Sequence, residues 1–316
     1  MNKERIVVVG SANVDFVMKV SRLPGKGETA PDAEFVQTLG GKGANQAAAA
    51  AQAGGITSFV GCVGSDPLGE QMKNNLDHMG VDTSQVTVAE GARSGAALVM
   101  IGADGQNYVT VAPGANYSLT PERIHHAEKL FRDAAVVLVQ CEILPETIAE
   151  AIGMAHSYGA AVILNAAPAR PLSHDLLRRT AVLVVNEVEA SALCGFHVSS
   201  ARETQRAADS LLKTGAGSVI VTVGRDGVFV AETDNCTHIP AVAVRAVDTT
   251  AAGDVFCGAL GVGMVDGASL VEAARFASAA AAISVTRLGA QSSIPSRKEI
   301  DALIAERGNP GGINER

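Results

Sequence analysis

Residues 136–165 read VVLVQCEILPETIAEAIGMAHSYGAAVILN, an apolar run, a longer segment rich in Ala and Glu, and a second apolar run. The two runs, 136–140 and 162–165, are dominated by β-branched and aliphatic residues, which is typical of strands buried on both faces of a parallel sheet. Tyr158-Gly159, just before the second run, has the form of a helix C-cap. The stretch therefore predicts a β-α-β unit.

The same alternation of apolar runs and helix signals continues along the chain. Further strand-like runs cover 6–9, 58–63, 182–185 and 219–223, and capping boxes such as Ser269 to Glu272 and Ser296 to Glu299 mark helix starts. Repeated β-α-β units predict an α/β fold, a doubly wound and mostly parallel sheet with helices on both faces.

Two segments, 13–38 and 96–111, break this pattern with short apolar runs, prolines and glycines but no helix signal. The second contains a strand-like run at 97–101 and Asp104-Gly105, a sequence typical of a hairpin turn. We predict that these segments form a small β-sheet lid. The core then comprises residues 1–12, 39–95 and 112–316, of which 308–316 are a frayed tail.

Composition excludes several classes of protein. The 316 residues contain 25 Lys and Arg against 33 Asp and Glu, a net charge of −8, and only 3% aromatic residues. This balance argues against nucleic-acid and anionic-membrane partners. No apolar stretch approaches the roughly 18 residues of a membrane span, and the first apolar run is too short for a signal peptide. Five scattered cysteines without a Cys-x-x-Cys pair favour a reducing cytoplasm.

The segment richest in chemistry is DTTAAGD, residues 248–254, which precedes an apolar helical stretch. Small residues let the backbone approach a ligand closely, and the free amides of a helix start attract anions. An Asp beside such a turn, here Asp254, can take the proton of a hydroxyl during phosphoryl transfer. Capping of the helix is the alternative role for Asp254. A P-loop is absent, and the lack of a G-x-G-x-x-G sequence weakens a dinucleotide-binding interpretation.

A second glycine-rich turn, LGGKGANQ at 39–46, also leads into a helical stretch. Its glycines permit close approach of a polar ligand, and Asn45 can donate and accept hydrogen bonds. Asn13 and Asp15 follow the first strand, at the strand end where α/β folds bind ligands. These residues suit the recognition of sugar hydroxyls, although glycines that serve only the turn are the alternative.

Five motifs in order resemble those of one family. They are GGKGAN (40–45) with VGSDPLG (63–69), NAAP (165–168), NEVE (186–189), TVGRDG (222–227) and DTTAAGD (248–254). The chain resembles the ribokinase-type (PfkB) carbohydrate kinases over nearly its whole length, up to about Pro295.

The resemblance implies a role for each matching position. The sugar ligands would be Asn13, Asp15, Gly41, Lys42, Gly43, Asn45 and Glu142. Asp254 would be the general base, beside an anion hole formed by Ala251, Ala252 and Gly253. The ATP site would comprise Asn186, Thr222, Gly224, Gly227, Gly253 and Ser278, with Glu189 acting indirectly on Mg²⁺. A K⁺ site would comprise Asp248, Thr250, Ser284, Arg287, Gly289 and Ser293.

The resemblance also implies the activity, ATP-dependent phosphorylation of D-ribose at its terminal 5-hydroxyl, with Mg²⁺ and K⁺ as cofactors and a homodimer formed through the lid. Two alternatives stay open. One is a kinase for another small sugar or nucleoside, such as deoxyribose or adenosine. The other is a non-catalytic sugar-binding regulator, which loss of Asp254 or Gly253 would favour. One position departs from the family, which usually has Gly at the position of Ala251; alanine is tolerated there if its φ is negative.

Overall fold

The apolar runs of the sequence become strands in a computed structural model that describes residues 3–104, 106–233 and 235–308. The strands in these residues are β1 (Arg5–Val9), β2 (Asn13–Val20), β3 (Glu34–Gly40), β4 (Ile56–Gly64), β5 (Asp82–Ala89), β6 (Gly95–Gly102), β7 (Asn107–Ala112), β8 (Ala134–Gln140), β9 (Ala161–Asn165), β10 (Val182–Asn186), β11 (Ser218–Thr222), β12 (Val228–Glu232) and β13 (Asn235–Ile239).

The helices alternate with these strands. They are α1 (Lys42–Gln52), α2 (Pro67–His78), α3 (Pro121–His126), α4 (Glu128–Asp133), α5 (Pro145–Ser157), α6 (His174–Arg178), α7 (Glu187–Cys194), α8 (Ala201–Leu212), α9 (Ala252–Val265), α10 (Leu270–Ser284) and α11 (Arg297–Gly308). Within the described residues, no helix combines the length and the apolar character that crossing a membrane requires.

Nine strands form the main sheet in the order β13-β12-β11-β10-β9-β8-β1-β4-β5. The seven strands from β11 to β5 run parallel, and β12 and β13 add antiparallel strands at one edge. Along β1, Ile6 and Val8 pack into one hydrophobic core while Val7 and Val9 pack into a second. The sheet is therefore buried on both faces, and the predicted doubly wound α/β fold is confirmed.

The sequence analysis missed β5 and β13, which lie at the two edges of this sheet, and β12, which lies beside β13. β5 has polar residues between its apolar ones, and β13 reads NCTHI. Edge strands bury less of their surface than central ones, so their sequences lack the continuous apolar run by which the central strands were recognised.

A second sheet has four strands in the order β3-β2-β6-β7. β2 is antiparallel to β3 and parallel to β6, and β6 pairs with β7 as an antiparallel hairpin. These strands occupy the two segments in which a small sheet was predicted. Gly105 of the predicted hairpin turn and residues 309–316 of the predicted tail lie outside the described residues, and residue 308 is the last residue of α11.

Helices α1 and α9 pack closely because Gly258 of α9 has no side chain. A Cβ atom at this position would lie 2.6 Å from the backbone oxygen of Gln46 in α1. The first turns of the two helices lie together, since Asn45 of α1 donates to Asp254 of α9 at 3.0 Å. Each helix begins at one of the two turns singled out in the sequence. This packing brings the two turns to one end of the sheet.

Candidate active site

Asp254 lies at the centre of the site, in the first turn of α9, and only 6% of it is exposed. Its Oδ2 accepts a hydrogen bond from Asn45 Nδ2 at 3.0 Å, and its Oδ1 accepts one from Gln46 Nε2 at 3.1 Å. The N-cap of α9 is Ala251, and among the described residues the donors to Asp254 belong to α1. The interpretation of Asp254 as only a helix cap is therefore wrong.

Burial raises the pKa of Asp254 above its ordinary value, while the Lys42 ammonium and the bonds from Asn45 and Gln46 act in the opposite direction. Burial by itself lowers the pKa of Lys42, but the charges of Asp254 and Glu142 outweigh it, so the pKa of Lys42 is raised. Lys42 thus stays protonated and provides the positive charge that stabilises the buried carboxylate.

Glu142 follows β8 and holds the glycine-rich turn at 39–46. Its Oε2 accepts hydrogen bonds from Ser11 Oγ at 2.5 Å and from the backbone amide of Lys42 at 3.1 Å. Gly41 in this turn has φ +88°, and a Cβ atom there would lie 2.6 Å from the amide nitrogen of Asn13. Glycine is required at this position for both reasons.

Asp15 lies on β2, so it is the small sheet that supplies this carboxylate to the site. Its Oδ2 lies against Gly40 and occupies the space that a side chain at position 40 would need. Burial, and then the charges of Glu142 and Asp254, raises its pKa from 3.8 to about 6. Three carboxylates thus interact electrostatically around Lys42, an arrangement that suits a ligand with several hydroxyl groups.

Asn116 is a site residue that the sequence analysis missed. Its Oδ1 accepts from the amide of Ala12 at 2.8 Å, and its Nδ2 donates to Asn13 Oδ1 at 2.7 Å. Since the side-chain oxygen of Asn13 is engaged, its amide NH₂ is the group left for a ligand. The sequence shows only a polar residue at position 116. The side chain is 1% exposed in the fold, and this burial could not be read from the sequence.

The turn before α9 contains the one non-glycine residue with positive φ in the described part of the chain, Ala251, at φ 60° and ψ 8°. The condition of a negative φ, under which alanine would be tolerated without strain, is not met. The left-handed conformation costs an alanine about 1–2 kcal/mol. Gly253 is exposed, and no atom beyond its chain neighbours and the nearby backbone of its own helix lies within 4 Å of the position that its Cβ would occupy, so the turn is open to an approaching ligand.

The residues predicted for ATP lie at one end of neighbouring strands. Asn186 ends β10, Thr222 ends β11, and the two are paired in register. Asn186 also forms a reciprocal cap with Glu189, whose Oε2 accepts from the Asn186 amide at 2.8 Å. Gly224, at φ +50°, has open space around its Cβ position.

The two remaining residues of the predicted ATP site are engaged in packing and helix contacts. A Cβ atom on Gly227 would lie 2.0 Å from the backbone oxygen of Ile239, and Ser278 Oγ donates to the oxygen of Ala274 within α10 at 2.8 Å.

Asp248 connects the two segments of the predicted K⁺ site. Its Oδ1 accepts from the Thr250 amide at 2.9 Å, and its Oδ2 accepts from the Gly289 amide at 2.9 Å. The Arg287 guanidinium points instead to Glu299. The side chains of the two predicted serines donate to backbone oxygens of their own segments, Ser284 to Ala281 and Ser293 to Ala290.

The chemistry of this donor set fits a monovalent cation. It offers one carboxylate and the carbonyl oxygens of Arg287 and Gly289, which accept no hydrogen bond from the described residues. Among the residues that the structure describes, no cluster of three or more His, Cys, Asp or Glu side chains is arranged as a metal site.

Comparison with known proteins agrees with this geometry. The family model described as pfkB family carbohydrate kinase matches residues 3–297. A ribokinase of Haemophilus influenzae is 37% identical over 297 residues, covering 94% of this chain and 97% of the relative. A deoxyribokinase of Salmonella typhi is 34% identical, covering 95% of this chain and 98% of the relative.

A solved structure, Arabidopsis thaliana ribokinase complexed with ribose and ATP, superimposes with a TM-score of 0.89 at 34% identity, covering 96% of this chain and 99% of that one. The family predicted from the ordered motifs is thus confirmed over almost the full length. This chain belongs to the PfkB family of carbohydrate kinases.

Proposed function

We propose that this chain phosphorylates D-ribose at its terminal 5-hydroxyl with ATP, giving ribose 5-phosphate and ADP. The observation that carries the proposal is the buried Asp254 carboxylate, held by side chains of α1 at the start of α9. The relatives named as ribokinases and the structural neighbour complexed with ribose and ATP support the choice of substrates.

The polar groups around Asp254 match the hydroxyls of a small sugar. Asn45 Oδ1 is buried and has no hydrogen-bond partner among the described residues, so it can accept from a ligand hydroxyl. The Asn13 amide group supplies a donor, and the Asp15 carboxylate supplies an acceptor. Glu142 is engaged with the turn at Ser11 and Lys42 and acts on the sugar chiefly by shaping that turn.

The proposed transfer is a single displacement. The terminal hydroxyl oxygen of the sugar bonds to the γ-phosphorus of ATP as the bond from that phosphorus to the bridging oxygen breaks, and ADP leaves with the released electron pair. Asp254 takes the hydroxyl proton, a contribution of roughly 10²–10⁴-fold for general bases. The free amide of Gly253 and the N-terminal end of α9 stabilise the negative charge on the transferring group. The amide of Ala252 donates to the backbone oxygen of Thr249 at 3.2 Å and would have to exchange this bond to take part.

Two cations complete the proposal. Mg²⁺ would neutralise charge on the phosphates of ATP, and Glu189, which uses one oxygen to cap α7, would act on it indirectly through water. K⁺ would be held by Asp248 and by the carbonyl oxygens of the loop 284–293, behind the turn that contains Ala251. We expect this ion to order the turn without taking part in the transfer.

We further propose that the chain forms a homodimer through the small sheet, which acts as a lid, and that it works in the cytoplasm, as its scattered cysteines suggest. Large apolar side chains are exposed on this sheet, including Val36, Tyr108 and Val109, the last two 61% and 57% exposed. Pairing with a second copy would bury them.

Phosphorylation of 2-deoxyribose is the second candidate, supported by the relative named as a deoxyribokinase. Asn13 and Asp15 favour ribose, since a site built to bind a hydroxyl discriminates against the analogue that lacks it.

The test of the proposed function is release of ADP measured with ribose, 2-deoxyribose, other pentoses, hexoses and adenosine. We expect the highest kcat/KM with ribose and background release with Asp254→Asn. Binding of sugar without ADP release by the wild-type chain would instead support the regulator.

A further inference from the structure

A chain of buried amide groups leads into Asp254 from the sheet. Gln140 Nε2 donates to Gln46 Oε1 at 2.7 Å, and Gln46 Nε2 donates both to Asp254 Oδ1 at 3.1 Å and to Asn165 Oδ1 at 3.2 Å. Gln46 and Gln140 have no exposed surface. Gln140 and Asn165 are paired at the ends of β8 and β9, so the sheet itself sets their positions.

The direction of this chain follows from the ionised carboxylate. A carboxylate only accepts hydrogen bonds, so Gln46 must turn its NH₂ toward Asp254, and its oxygen must then accept from Gln140. Gln140 is left with its own oxygen buried and without a partner among the described residues. That oxygen would lie 1.9 Å from a Cβ atom at Gly10, so the space for the amide exists only because residue 10 is glycine.

An unpaired buried oxygen costs free energy, and the reverse orientation of the amides would turn the oxygen of Gln46 against the carboxylate. In this arrangement Gln140 Oε1 has no partner among the described residues, and Gln46 Nε2 donates to Asp254. Core packing alone does not account for this, because an apolar side chain of similar size would fill the same space without leaving an unpaired atom.

We propose that Gln46, oriented by Gln140, is a positioning residue that fixes the Asp254 carboxylate for proton transfer and favours its ionised form. The inference rests on the proposed role of Asp254 as base. With Asn45 on Oδ2 and Gln46 on Oδ1, each oxygen receives one donor and keeps a lone pair for the sugar hydroxyl.

The charged and titratable groups that act on Asp254 come from several elements. They are Lys42 on α1, Glu142 after β8, Asp15 on β2, Glu189 on α7 and the Cys257 thiol on α9. None of them is altered by a substitution at Gln46 or Gln140, so a change in the titration of Asp254 in those variants reports the amide chain.

The experiment compares Gln46→Met, Gln140→Met and the double variant, with Gln52→Met as the matched control. Gln52 lies at the other end of α1 and donates to the backbone oxygen of Met79 at 3.0 Å, away from Asp254. Two readouts are used: the pH profile of kcat, and the carboxyl titration of Asp254 by ¹³C NMR, its signal identified with Asp254→Asn. The NMR readout requires no catalysis.

Gln46→Met should raise the pKa of Asp254 and lower kcat roughly ten-fold. This loss is smaller than the contribution of the base itself, which is at least about 10²-fold, because the variant keeps Asp254. Gln140→Met should act in the same direction but less, and the double variant should resemble Gln46→Met, because Gln140 acts through Gln46. The control should match the wild type.

An Asp254 pKa unchanged in both single variants, or losses in kcat that multiply independently in the double variant, would overturn the proposal. If Gln46→Met does not fold, Gln140→Met alone decides, because it leaves Gln46 in place but free to turn its amide. If the wild-type chain phosphorylates no sugar, the proposed function fails, while the NMR titration still tests whether the amide chain controls Asp254.

Discussion

Asn45 donates a hydrogen bond to Asp254 over 3.0 Å, although 209 positions separate the two residues in the sequence. Each lies in the first turns of its own helix, α1 or α9, and the close packing at Gly258 sets the distance between them. The turn proposed to bind the sugar and the turn proposed to bind the phosphoryl group are thus coupled through a direct bond between a proposed sugar ligand and the proposed base.

Replacement of Asp254 with Asn is the first test of this arrangement. The change keeps the size of the side chain but removes its charge and basicity, so we expect kcat to fall by roughly 100-fold or more. Steady-state kinetics, a thermal melt and a ribose titration check it, with Asp266→Asn at the other end of α9 as the control. A folded variant that binds ribose and keeps more than about a tenth of wild-type kcat would place the base elsewhere.

The choice of sugar is tested by comparing ribose with 2-deoxyribose. We propose that Asn13 and Asp15 bind hydroxyls of the sugar. With the deoxy sugar one of these buried polar groups would lack its partner, which raises the free energy of the transition state for that sugar. We expect a clearly higher kcat/KM for ribose. Equal values for the two sugars would remove the ribose assignment and leave the kinase assignment intact.

Potassium should activate the enzyme, and sodium should do so poorly. The carboxylate of Asp248 and the carbonyl oxygens near Gly289 form an oxygen set beside the turn that contains Ala251, and carbonyl cages discriminate between the two ions. The measurement is kcat in K⁺, Na⁺ and tetramethylammonium at equal ionic strength. Identical rates in K⁺ and the organic cation would argue against the site.

Asp15→Asn should stabilise the fold at neutral pH. Folding raises the pKa of Asp15 from 3.8 to about 6, mainly through burial. The folded state therefore binds more protons between these values, and the stability that Asp15 contributes below pH 3.8 is lost as the pH rises through 6.

The difference in free energy of unfolding between Asp15→Asn and the wild type should therefore shift in favour of the variant between pH 4 and pH 8. Denaturant unfolding at the two pH values measures it, and the same difference at both would show that Asp15 titrates normally. Weaker ribose binding by the variant is expected as well, because the amide no longer supplies the carboxylate acceptor.

Substitutions at Ala251 test whether the backbone strain at this position is needed for activity. Its φ of 60° is strained for alanine, so Ala251→Gly should keep activity and melt at or above the wild-type temperature. Ala251→Val should lower both the melting temperature and kcat, since β-branched residues are rarely found in this conformation. An active, equally stable Val variant would mean that the turn adopts a negative φ.

The sequence determined the central strands of the main sheet, the family and most of the proposed ligands. Buried parallel strands need continuous apolar runs such as 136–140, and turns that approach a ligand need small residues such as those around Gly41 and Gly253. Both requirements act on neighbouring residues and are therefore visible along the chain.

Only the tertiary structure decided how these segments meet. Asn116, Gln46 and Gln140 act through partners about 100 or more positions away in the sequence, and a polar residue gives no sign in the sequence that it will be buried. The positive φ of Ala251 was likewise not fixed by its neighbours. Such features depend on which surfaces face each other after packing, through long-range contacts such as the one between α1 and α9, rather than on local propensity.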